Sequence, residues 1–203
     1  GLKHAIRSNT KSIMSALIGI ALERGEITSL ARPVLDFFPD KTVARADARK
    51  RAMRLEHLLT MTAGLDCQDD YQHGWEGLKR LRASPDWAQY VLDLPMAQAP
   101  GKGFEYCSSA SFLLSAILQR ATGMKAFDYA KKHLFGALGI SDVAWPETAR
   151  GISEGYGGVL LRPHDMAKFG LLYLNKGMWE GRQIVSRAWV EASTRRHVGA
   201  TLF

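Results

Sequence analysis

Apolar positions in this 203-residue chain recur mostly at helical rather than strand spacing. Ser8-Asn9-Thr10-Lys11 leads into residues 12–24, which are apolar almost all round and are followed by Gly25. That pattern predicts a buried helix with Ser8 near its N-cap. Residues 32–38 read as a short helix ended by Pro39, and residues 48–62 as a long one. In the latter, Leu55, Leu58, Leu59 and Thr62 form the inner face and Gly64 lies past the end. Residues 66–75 are polar and aromatic, a surface loop. Residues 85–92 have Pro in the first turn of a helix. After the Pro100-Gly101 turn, residues 104–106 read as extended and residues 108–121 as a helix closed by Gly123. Further helices are predicted at 125–138, 163–175 and 186–195, and strands only at 158–161 and 182–185. With no repeat and no linker, residues 1–203 are expected to form a single, mainly helical unit.

Composition narrows the class. Hydrophobic residues make up 46% and charged residues 23%, which excludes collagen-like, low-complexity and disordered chains. Twenty-seven Lys and Arg against twenty Asp and Glu give +7 and a pI near 9.5. Such a balance raises the question of an anionic partner. The basic residues are scattered, however, and the densest patch, residues 45–54, lacks the aromatics on which bases stack. It reads as one solvated helix face, so no nucleic-acid partner is expected. Lys3, Arg7 and Lys11 before residues 13–22 mimic a secretory signal, but the apolar run is about ten residues, short of the roughly 20 that span a bilayer. Charged residues and Gly25 follow where a cleavage site would lie. No membrane segment is expected, and compartment and oligomeric state stay open. Cys67 and Cys107 make neither a disulfide framework nor a metal site by themselves, and the six His lack ligand spacing.

Chemistry enters with Ser8 and Lys11. Three apart at a helix start, they share a face. A serine hydroxyl needs a base beside it to become a nucleophile, and lysine serves only when neutral, as burial favours. Composition alone predicts about one such spacing per chain of this length, so an N-cap serine with a solvated lysine fits the pair equally. Tyr106-Cys107-Ser108 adds a second element, a Tyr-x-Ser spacing at a loop-to-helix junction. Tyr106 is suited to share a proton with Lys11, and Ser108 to orient the lysine.

Together with Glu56-His57-Leu58-Leu59-Thr60-Met61-Thr62-Ala63-Gly64-Leu65 and the run Gly157-Gly158 to Leu172, these stretches resemble a family. It comprises serine hydrolases related to class C β-lactamases, with D-alanyl-D-alanine peptidases, esterases and 6-aminohexanoate-dimer hydrolases among its members. The Ser-x-x-Lys element belongs to that wider group. The resemblance implies a β-lactamase/transpeptidase-like α/β (α+β) fold, here a mainly α-helical fragment with most of the antiparallel sheet missing. It also implies Ser8 as acyl-accepting nucleophile, Lys11 as its activating partner and Tyr106 as general acid/base, with neither metal nor organic cofactor. The implied substrate is a small ester or amide. Ser108 stands where many relatives carry Asn, which leans toward esterase or amide-hydrolase branches. Tyr71, in the loop 66–75, is expected to border the substrate, and His57 to be a framework residue.

A third motif, a triplet on a late strand that lines the cleft, is not found. His197-Val198-Gly199 matches it in letters but comes too early, so His197 is expected at the surface. Gly at position 1 and Phe at position 203 do not read as natural ends, so the chain is expected to be a fragment, marginally stable and poorly active alone. Through the resemblance, Cys67 and Cys107 are expected to meet at the cleft edge as a disulfide or a close thiol pair. Two other readings stay open: a non-catalytic penicillin-binding-like relative, which needs no aligned Ser-Lys-Tyr cluster, and a basic nucleic-acid binder, which needs a continuous positive face.

Overall fold

The computed structural model describes residues 1–199. The chain divides into two compact units, one of Gly1–Ile27 with Leu118–Arg195 and one of Thr28–Ile117 with, among the described residues, 196–199.

In the first unit, β1 (His4–Ala5) pairs antiparallel with β2 (Leu160–Leu161), in the register His4 to Leu161 and Ala5 to Leu160. A single 3-10 turn, Arg7–Asn9, leads into α1 (Thr10–Glu23). The apolar surround of α1 is explained by its neighbours: α7 (Ala126–Ala130), the wide helical turn Lys131–Phe135 that continues it, and α9 (Arg187–Thr194) all pack on it. Ile13, Met14, Leu17 and Ile18 are consequently fully buried, each contributing about 1.5–3 kcal/mol relative to exposure. The C-terminal end of α1 is tied to α7 through Glu26. The Tyr129 hydroxyl donates to Glu26 Oε2, and Arg24 Nε donates to Glu26 Oε1 at 3.1 Å. Helix α8 (Pro163–Leu174), with Pro at its first position, and the hairpin of β3 (Met178–Trp179) and β4 (Arg182–Gln183) complete the unit.

The second unit holds α2 (Ala48–Arg51), α3 (Leu55–Leu59), α4 (Glu76–Ala83), α5 (Trp87–Asp93) and most of α6 (Ser108–Thr122). The helix predicted at 48–62 is in fact two. Arg54 is extended (φ −111°, ψ 164°) and bridges to Pro33, while the Met53 carbonyl accepts the Val34 N–H at 2.8 Å. Tertiary pairing of the backbone thus interrupts a sequence that is helical by local preference. His57 restarts it: its Nδ1 accepts the Arg54 N–H at 3.0 Å, capping α3 from the third position.

In the basic run 45–54, Arg45, Arg49, Arg51 and Arg54 are exposed, as expected of a solvated face, and Lys50 departs from it. Lys50 is fully buried, and its Nζ donates to the carbonyls of Leu92, at 2.6 Å, and Leu94. An ammonium there satisfies carbonyls left over where α5 ends. Burial pushes the Lys50 ammonium below the usual lysine range.

Among the described residues, no helix is long and apolar enough to cross a membrane.

Candidate active site

Ser8 is set by the β1–β2 ladder. After Ala5 the pairing continues, the Ile6 N–H donating to the Val159 carbonyl at 3.0 Å, and the chain then turns sharply through Arg7 (φ 49°). A non-glycine residue in the left-handed region costs of order 1 kcal/mol, tolerated where surroundings over-determine it. This turn leaves the Ser8 side chain exposed at the foot of α1. Ser8 lies beside the N-cap, as expected: Asn9 is the N-cap residue of α1 and makes no side-chain cap hydrogen bond. Lys11 Nζ donates to Ser8 Oγ at 3.2 Å.

Lys11 is half-buried and held from a second side, its Nζ donating to the Tyr156 carbonyl at 2.8 Å. The same Nζ lies 5.8 Å from the centroid of the Tyr156 ring, within cation–π reach. Tyr156 precedes Gly157-Gly158 and the residues paired to β1, so one ladder positions both the serine and the carbonyl that steadies its lysine. Gly158 has φ +87°, and a Cβ there would press on Pro146 and Glu154 at 3.2 and 3.1 Å. Tyr156 was not singled out in the sequence. A backbone carbonyl can come from any residue type, so only the Gly-Gly block beside it offered a signal.

The remaining predicted residues belong to the second unit. Tyr106 is half-buried in the irregular segment before α6, and Ser108, 2% exposed, is the first residue of that helix. Cys107 between them is joined to Cys67 in a disulfide with Cα atoms 5.7 Å apart. Asp69 Oδ2 accepts the Ser109 N–H at 2.6 Å, placing a carboxylate at the N-terminus of α6, where the helix dipole favours it. Tyr71 is 86% exposed on the loop 66–75. His57 is engaged as the α3 cap, and burial lowers its imidazole below the usual range. His197 is exposed. Among the described residues, the grouping of potential metal ligands within 4.8 Å is Cys67, Asp69 and Cys107. Both its sulfurs are committed to the disulfide.

A serine hydroxyl hydrogen-bonded to a lysine that is anchored on a carbonyl can deliver an oxygen nucleophile while its proton is managed next door. A beta-lactamase family model matches residues 2–201. The 6-aminohexanoate-dimer hydrolase of Paenarthrobacter ureafaciens is 25% identical over 203 residues, covering 94% of this chain and 50% of that protein. The chain therefore spans about half the length of this curated relative. A penicillin-binding protein homologue from Caulobacter crescentus matches in structure with a TM-score of 0.75 at 16% identity, over 97% of this chain and 62% of that one. An octameric penicillin-binding protein homologue from Pyrococcus abyssi matches at 0.71 and 21% identity, over 94% and 48%. These two likenesses show a β-lactamase/transpeptidase-like fold, present here mainly as helices with small sheets. By the extent of the family match, the chain belongs to the beta-lactamase family of hydrolases.

Proposed function

We propose that the intact protein is a serine acyl hydrolase that cleaves a small ester or amide through an acyl-enzyme on Ser8. The observation that carries this reading is the Lys11 Nζ to Ser8 Oγ hydrogen bond of 3.2 Å, with Lys11 anchored at 2.8 Å on the Tyr156 carbonyl. Ser8 Oγ attacks the carbonyl carbon as its proton passes to Lys11. The C–O or C–N bond then breaks, and the alcohol or amine leaves with that proton. Water attacks the acyl-Ser8 ester in turn, returning the acid product and a free Ser8 hydroxyl. Tyr106 takes its general acid/base role, and Ser108 its supporting role, from the Tyr-x-Ser motif. Tyr71, exposed on its loop, is assigned to cover bound substrate. The 6-aminohexanoate-dimer hydrolase relative favours an amide or ester over a strained lactam alone.

A fluorophosphonate or penicillin-type probe applied to the intact enzyme is expected to label Ser8. The Ser8→Ala variant is expected to lose all labelling, and labelling that survives the substitution would overturn the assignment.

A further inference from the structure

Tyr106 lies in a segment anchored at every second residue. At 105, the backbone N–H donates to the Met61 carbonyl at 2.9 Å, and the carboxylate Oε1 accepts the Cys67 N–H at 3.3 Å. At 107, the side chain is covalently joined to Cys67. At 109, the N–H donates to Asp69 Oδ2 at 2.6 Å. Cys67, Asp69, Cys107 and Ser109 are each at most 3% exposed, so the disulfide and the Asp69–Ser109 tie are buried, and the Glu105 tie is part-buried. Cys67 is therefore gripped from both sides of Tyr106, by Glu105 and by Cys107, and the two motif residues, 106 and 108, fall between anchors. The far side of the clamp is itself held: the Asp66 N–H donates to the Pro95 carbonyl at 2.9 Å, and the Gly77 N–H to the Gln68 carbonyl at 3.0 Å.

We infer that Cys67, Cys107, Glu105 and Asp69 form a positioning clamp that fixes Tyr106 for proton transfer. This rests on the reading of Tyr106 as general acid/base. The clamp touches no substrate. It acts by holding the phenol in place, and misplacement of a reacting group by about 1 Å can cost on the order of 100-fold in rate. Because the phenol works in bond making and breaking rather than in capture, loosening the clamp lowers kcat and spares KM.

The test uses the intact enzyme with 4-nitrophenyl acetate. The Cys67→Ala/Cys107→Ala variant is expected to lose about 10- to 100-fold in kcat with KM within about threefold of the parent. Dithiothreitol, which reduces the disulfide to two thiols as it becomes a cyclic disulfide, is expected to produce the same loss, and reoxidation to reverse it. Should the double variant not fold, Glu105 decides: Glu105→Ala is expected to lower kcat and Glu105→Gln, whose amide oxygen can accept the same N–H, to restore most of it. In a Tyr106→Phe background, removing the cysteines is expected to change kcat by less than about twofold, since the clamp acts through that phenol. Parental kcat in the folded cysteine variant, equal kcat in Glu105→Ala and the parent, or a full additional loss in the Tyr106→Phe background would each overturn the clamp. Parental kcat in Tyr106→Phe alone would instead overturn the role given to Tyr106.

Discussion

At the residue scale, the demands on Lys11 are narrow. Its Nζ reaches Ser8 Oγ and the Tyr156 carbonyl together, and the proposed mechanism asks it to exchange a proton as well. Arginine keeps the charge and can reach similar partners, but it stays protonated and its planar fork suits a different geometry. Lys11→Arg is therefore expected to leave folding intact, by circular dichroism, and to lower kcat/KM on an ester substrate by about 100-fold or more, the scale of a lost general base. Activity within a few-fold of the parent would show that only positive charge is needed beside Ser8. Lys50 makes the contrasting case. It is the more deeply buried lysine, yet its donors are spent on the Leu92 and Leu94 carbonyls, so it supports structure.

At the element scale, helices whose preference and packing agree were legible in the sequence. α1 and α6 fall within two residues of the pattern because their apolar periodicity matches the surfaces they meet. Where long-range backbone pairing competes with local preference, the pattern misleads. The break between α2 and α3 depends on Val34 and Pro33, some twenty residues earlier in the chain, which residues 48–62 do not advertise. Helix α4, absent from the sequence reading, follows Trp75 in a left-handed conformation and packs its second residue, Gly77, where a Cβ would overlap the Cys67 carbonyl oxygen. Glycine there reads as a weak helix former, although its purpose is close approach. Gly77→Ala is expected to displace the loop at Cys67 and cost about 1–3 kcal/mol, by urea unfolding. The Ser8–Lys11 pair was legible through its spacing, and the Tyr156 carbonyl was not, for lack of a side-chain signature.

A second element-scale consequence concerns pH. Burial raises the Glu26 carboxyl, but the Tyr129 and Arg24 hydrogen bonds outweigh it and hold the group below its ordinary value. The folded state thus favours the carboxylate, and this stabilisation is complete above pH about 4.5 and lost as pH falls through the lowered folded value. Tyr129 moves oppositely: burial and the Glu26 bond raise its phenol, so its contribution holds below pH about 10 and fades as pH rises through the folded value. Glu26→Gln is expected to flatten the acid limb of a urea-midpoint profile, and Tyr129→Phe the alkaline limb. Unchanged limbs in both variants would show that the α1–α7 tie carries no linkage.

At the scale of the whole molecule, the small sheets leave helix packing and one covalent bond to resist unfolding. The Cys67–Cys107 bridge closes a loop of 40 residues, worth about 4 kcal/mol by loss of unfolded-chain entropy. For a chain of about 200 residues, each kcal/mol shifts Tm by about 2–4 °C. Reduction is therefore expected to lower Tm by on the order of 10 °C, measured by circular dichroism with and without dithiothreitol. The Cys67→Ala/Cys107→Ala variant should melt near the reduced protein and ignore the reductant. The bridge is 1% and 3% exposed at its two ends, so reduction should be slow in the folded state and speed up near the melting transition. An oxidised and a reduced protein that melt within about 2 °C of each other would mean that the unfolded chain already keeps residues 67 and 107 together, leaving the bond little entropy to remove.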